Sequence, residues 1–195
     1  MKIKRHRKNS IQSRVTLDSI SKQNQHTQQM ADFLLLGALG EKLGMSVEHL
    51  LERERLLLGE KRLNDEDCKG IAEVIRHNTA LTTLDLGDNY IGDTGASAIA
   101  VALPFNGVMT VLWLGGNKIG DAGAVSLVEG LKHNGALQVL VLNHNQIGNE
   151  GAIAIGKGLE SNSKLLSLFL NTSLSRPIVH RGIANTLPPQ EPDWR

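Results

Sequence analysis

One passage is written three times in this chain: LTTLDLGDNYIGDTGASAIAVALPFNGV, MTVLWLGGNKIGDAGAVSLVEGLKHNGA and LQVLVLNHNQIGNEGAIAIGKGLESNSK. The copies begin at Leu81, Met109 and Leu137, 28 residues apart, and span 81–108, 109–136 and 137–164. A period of about 20 to 50 residues specifies a solenoid, because one such unit cannot bury its own apolar face and must stack on its neighbours. No other feature of the chain restricts the fold as strongly.

The unit itself can be read. Apolar alternation at Leu84 and Leu86, Leu112 and Leu114, and Leu140 and Leu142 is the period-two pattern of a short strand. Asn89, Asn117 and Asn145 follow three residues later, then Ile91-Gly92, Ile119-Gly120 and Ile147-Gly148 mark a turn. Ala96, Ile99, Ala100 and Leu103 next recur at i, i+3, i+4, i+7, one face of a helix. Asp93 and Asp121 stand where a carboxylate can cap the helix N–H groups that follow. Asn106, Asn134 and Asn162 end the helices, where Asn suits a left-handed closing conformation. Strand, turn, helix and return make one right-handed coil, and stacked coils give a parallel sheet inside and helices outside.

The pattern LxxLxLxxN-x-I-G-x-x-G-A in three consecutive copies resembles the leucine-rich repeat family, in its long ribonuclease-inhibitor-like form. The resemblance covers roughly residues 54–175. It implies an α/β leucine-rich-repeat solenoid. Proteins that share such repeats include NOD-like receptors and Ran GTPase-activating proteins, so the fold leaves function to be argued from the site.

Outside the three copies the order is looser. Residues 1–28 are polar and aperiodic, with Lys2, Lys4, Arg5, Arg7 and Lys8 at the front, and predict a disordered arm. Residues 29–52 carry Met30, Phe33, Leu34, Val47, Leu50 and Leu51 at helical spacing and predict a helical cap over the first coil. Gly37, Gly40 and Gly44 predict two short helices there rather than one. From Arg53 to Asn78 a degenerate copy appears, with Leu56, Leu58, Leu63, Ile71 and Ile75 in register with the later coils. The repeats thus extend over 53–175, and the last, begun by Leu165, Leu168 and Leu170, is partial. Residues 176–195, ending PPQEPDWR, predict an irregular tail.

Net charge of +1 gives no global attraction to nucleic acid or membrane, and neither is expected as a partner. The lone Cys68 excludes an internal disulfide framework and points to a reducing compartment. It falls in register with Ala96, Ala124 and Ala152, as a small core residue. The apolar run Phe33–Leu39 is far short of a membrane span. A cytoplasmic protein is expected, with nuclear import through the basic arm as a second option.

Most polar motifs dissolve into the repeat. Asn89, Asn117 and Asn145 predict a structural ladder that satisfies backbone groups inside the coil. The stretch 151–158 nearly spells a phosphate loop, but lacks its closing hydroxyl and lies within a helix. The seven histidines show no metal spacing, and no nucleophile and base can be paired. No catalytic residue, cofactor or metal is expected.

What remains is the inner wall. Residues between the paired leucines face outward from the core: Leu57, Asp85, Trp113, Val141 and Phe169 in one column, Arg55, Thr83, Val111, Val139 and Ser167 in the next. Parallel strands lie about 4.8 Å apart, so Val111, Trp113, Val139, Val141 and Phe169, with Asp85 at the edge, form a docking patch for a protein partner. The expected function is non-catalytic protein binding on the concave face. By resemblance alone, a GTPase regulator would instead use a polar strand edge, for which Asp88, Lys118 and His144 are the candidates. A fragment of a NOD-like receptor is a further option.

Overall fold

The computed structural model describes residues 3–170, with side chains from residue 21 onward. Two helices lead the chain, α1 (Ile3–Leu43) and α2 (Val47–Glu52). Strand and helix then alternate: β1 (Arg55–Leu57), α3 (Asp67–His77), β2 (Thr83–Asp85), α4 (Asp93–Ala102), β3 (Val111–Trp113), α5 (Asp121–Lys132), β4 (Val139–Val141), α6 (Asn149–Leu159) and β5 (Ser167–Phe169). The five strands form one parallel sheet in sequence order. Each residue pairs with the one 28 positions on: Leu56 with Leu84, Leu84 with Leu112, Leu112 with Leu140, Leu140 with Leu168. The repeat period is therefore the sheet register, and these leucines are no more than 2% exposed.

α1 differs from expectation. It runs unbroken from Ile3 through the segment that predicted a disordered arm, and across Gly37 and Gly40. Residues 3–36 contain neither Gly nor Pro, and their Lys, Arg and Gln are good helix formers. Low apolar content removes something to bury, not the capacity to coil. The break comes at Gly44, whose φ of 65° is left-handed. Met45 N–H donates to the Gly40 carbonyl at 2.8 Å and Gly44 N–H to Glu41 at 3.3 Å, the double closure of a Schellman motif. Ser46 then caps α2 by accepting from His49 N–H at 3.2 Å. α1 covers the first coil through Leu36 and Leu39, which join the core. The approach is close because α3 carries Gly70, where a Cβ would lie 2.8 Å from the Leu35 carbonyl oxygen.

Two asparagine ladders run through the stack. Asn89 Oδ1 accepts from Lys61 N–H at 3.0 Å and Leu63 N–H at 2.9 Å, and its Nδ2 donates to Leu58 and Leu86 carbonyls at 2.9 and 3.0 Å. Asn117 and Asn145 repeat this toward Ile91 and Ile119 N–H groups. The second ladder has a different basis from the one expected. Asn78 and Asn106 are extended, at φ −81° and −102°, not left-handed. Their side chains close the turn instead, each also reaching the coil before. Asn106 Oδ1 accepts from Val108 and Met109 N–H at 3.0 and 2.8 Å, while Nδ2 donates to Ile75 and Asn78 carbonyls at 2.9 and 3.0 Å. Asn78 reaches the Leu50 carbonyl at 2.9 Å and so ties α2 to the first coil.

The aspartates also act between coils. Each stands in register with the others, but caps the next helix rather than its own. Asp65 Oδ1 accepts from Gly92 N–H at 2.7 Å, Asp93 Oδ1 from Gly120 and Gly123 N–H at 2.7 and 2.9 Å, and Asp121 Oδ1 from Gly148 N–H at 2.6 Å. The N-terminus of each of α4, α5 and α6 thus receives a carboxylate from its predecessor.

Cys68 is fully buried, and burial, with Asp65 and Asp67 adding to it, pushes its thiol from 9.0 up to about 12. The neutral thiol is the favoured form, so its contribution to stability is lost as pH rises from 9 toward 12. At pH 8 a thiol-reactive dye should label native Cys68 at least about a thousandfold more slowly than the denatured chain. Comparable rates in the two states would contradict a sealed core at α3.

Candidate functional site

The inner face is built by the strand alternation. Leu84 and Leu86, with their equivalents in the other coils, point into the core and are 0–2% exposed. The intervening side chains are thereby forced outward. Register places Leu57, Asp85, Trp113, Val141 and Phe169 side by side across all five strands. Thr83, Val111, Val139 and Ser167 form the adjoining row. Val111, Trp113, Val139 and Phe169 are half-buried and leave apolar surface open.

Two residues of the expected patch play different parts. Val141 is only 5% exposed, so it is the floor between Trp113 and Phe169 rather than a contact surface. Period-two alternation gives the direction of a side chain but not how far two larger neighbours cover it. Asp85 turns its Oδ1 back to accept from Gly87 N–H at 2.8 Å. It separates Trp113 from Leu57, which is 46% exposed at the first strand. The apolar patch therefore ends at Trp113 on one side and Phe169 on the other.

Beyond the strands the turns form a rim. Asp88, Gly116 and His144 occupy the same left-handed position, at φ 51°, 68° and 55°. Only one of the three is glycine, and a Cβ there would lie 2.0 Å from Asp88 Oδ1. Asp88 and His144 lie on either side of the coil that carries Gly116 and Lys118. Lys118 lies over Tyr90, its Nζ 4.9 Å from the ring centroid. That pair went unread in the sequence, although a separation of 28 residues places both in one column. Tyr90 is 52% exposed, so the rim offers an aromatic face and a cation beside the patch.

Among the described residues no helix is long and apolar enough to cross a membrane. The near-phosphate-loop stretch lies inside α6, as its repeat register requires.

The Leucine Rich repeat family model matches residues 77–100, 106–128 and 133–156, three segments in the register of the sheet. A comparison with curated proteins gave no significant match. Among solved structures, the chain is similar to Leiomodin-1 Actin-Binding Site 2 (ABS2), at 25% identity and a TM-score of 0.60, over 72% of this chain and 79% of that one. Repeat matches, parallel register and shared architecture together show that this chain is folded as an α/β leucine-rich-repeat solenoid.

Proposed function

We propose that the chain is a non-catalytic protein-interaction module that docks a partner on the concave face around Trp113. The observation that carries this is the row Trp113–Val141–Phe169 with Val111 and Val139 beside it, apolar, partly open and fixed on a hydrogen-bonded sheet. Because the wall is preformed, little ordering entropy is lost on docking, and the binding surplus comes from Trp113 and Phe169 as anchors. The helix in every 28-residue coil supports a ribonuclease-inhibitor-like form of the repeat. A cytoplasmic setting fits the buried, unpaired Cys68.

Likeness to an actin-binding site of Leiomodin-1 makes actin the first partner to test. Co-sedimentation of the chain with filaments, and fluorescence titration with monomers, would compare wild type with Trp113→Ala. We expect the variant to remain folded and to bind about thirtyfold more weakly, the equivalent of roughly 2 kcal/mol for one aromatic anchor. Binding indifferent to Trp113→Ala would remove the concave patch as the docking surface. Absence of any actin binding would remove that partner and leave the patch to be tried against others.

A further inference from the structure

Away from the inner face, α1 and α3 bring three metal-ligating side chains together. Glu73 and His77 lie four residues apart on α3, hence on one face, and Asp32 arrives from α1. His77 Nε2 lies 3.4 Å from Glu73 Oε2 and 3.9 Å from Asp32 Oδ2. One donor atom from each of the three falls within 4.8 Å of the others.

The two carboxylates are oriented alike. Asp32 turns Oδ2 inward, while its Oδ1 accepts from Gln28 Nε2 at 2.6 Å. Glu73 turns Oε2 inward, while its Oε1 faces Arg76 Nε at 3.6 Å. Arg76 in turn stacks its guanidinium 4.5 Å above the Phe105 ring. Outer contacts of this kind fix the rotation of a ligating carboxylate and leave its inner oxygen presented. Both acids are largely withdrawn from water, with side chains 16% and 12% exposed. The cavity lined by Gln28, Asp32, Glu73, Arg76, His77 and Phe105 measures about 350 Å³ and opens to solvent, with room for an ion and its water.

We propose that Asp32, Glu73 and His77 bind a divalent transition-metal ion, Zn²⁺ fitting best, which staples α1 to the first coil. One imidazole nitrogen and two carboxylate oxygens are zinc-type donors, whereas Ca²⁺ and Mg²⁺ take oxygen alone. Metal–ligand bonds of about 2.0–2.1 Å in a tetrahedron set ligand atoms roughly 3.3–3.4 Å apart. The His77–Glu73 pair already has that spacing, and Asp32 must close in from 3.9 Å to His77 Nε2, with all three donor atoms within 4.8 Å of one another. Water from the open side completes the fourth position. Histidine spacing along the chain could not reveal the site, since Asp32 and Glu73 are 41 residues apart and only helix packing joins them.

The test is titration of the full chain with Co²⁺ alone, read by its visible d–d absorption, and with Zn²⁺ alone, read by calorimetry. One equivalent should bind. His77→Ala and Asp32→Asn should each weaken binding at least a hundredfold, and Gln28→Ala about tenfold, through loss of its hold on Asp32. His77 is half-exposed, so circular dichroism should show the alanine variant folded. Zn²⁺ should also slow amide hydrogen exchange over residues 28–43. Lack of stoichiometric uptake, or uptake that survives His77→Ala, overturns the site. Uptake that leaves exchange in 28–43 unchanged overturns the staple.

Discussion

Asn106→Leu should lower the melting temperature by about 10 °C. The side chain is 4% exposed and makes four hydrogen bonds, two as acceptor from Val108 and Met109 N–H and two as donor to Ile75 and Asn78 carbonyls. Leucine fills the same space but pairs with none of them. A buried group left without a partner costs about 1–3 kcal/mol, and the N–H groups, with one bond each to make, are the less forgiving. Some loss is recovered by burying leucine, so a net cost of about 3–5 kcal/mol is expected, at roughly 2–4 °C per kcal/mol for a chain of this length. Asn117→Leu should act in the same direction but more weakly, since it leaves Ile91 N–H unmet while the Leu86, Leu114 and Gly115 carbonyls keep Asn89 Nδ2, Asn145 Nδ2 and Asp88 N–H as donors. The bonds run between coils, so the damage falls on one interface of a nearest-neighbour array. Thermal and urea melts should therefore broaden as well as shift, with α3 and the coils after α4 separating. An unchanged midpoint would mean that water, not the asparagine, satisfies these groups.

The two ladders show what was legible in the sequence. Strand register followed directly from the 28-residue period, because stacking identical coils pairs identical positions. The inner column of asparagines was legible for a similar reason: a polar residue repeated between buried leucines needs a backbone partner. The conformation of Asn78 and Asn106 was not. Asparagine at a helix end serves a left-handed closure or a side-chain-closed extended turn equally well, and the choice is made by carbonyls of the coil before. Asp93 and Asp121 make the same point, since a carboxylate at a helix start reads as a cap on its own helix but here serves the next. Local patterns report which groups need partners. Only the stacking says which coil supplies them. The candidate patch was legible as a column and wrong in depth at Val141, because how far Trp113 and Phe169 cover it depends on the shape of the wall.

That shape depends on how closely the helices approach, and Gly130→Ala tests it. Position 130 belongs to a column whose residues shrink along the stack, Val74, Ala102, Gly130 and Gly158. A Cβ on Gly130 would lie 2.3 Å from the Ala100 oxygen, 2.9 Å from its carbonyl carbon and 3.1 Å from its Cα. All three are backbone atoms of α4, so no rotamer change can relieve the overlap and α5 must move away from it. Overpacking of this kind costs about 1–3 kcal/mol or more, against a gain of about 1 kcal/mol when alanine replaces glycine inside a helix. Gly156 in α6 isolates that gain, since a Cβ there meets nothing within 4 Å. Gly156→Ala should therefore raise the urea midpoint, by the equivalent of about 1 kcal/mol, while Gly130→Ala lowers it by about 1–2 kcal/mol. Helices packed normally stand 8–10 Å apart while strands stand about 4.8 Å apart, and this mismatch curves the wall toward the strands. A glycine that lets α5 close on α4 lessens that mismatch between the coils of β2 and β3, the strands that carry Asp85 and Trp113. If Gly130→Ala were as stabilising as Gly156→Ala, the close approach of α4 and α5 would be refuted.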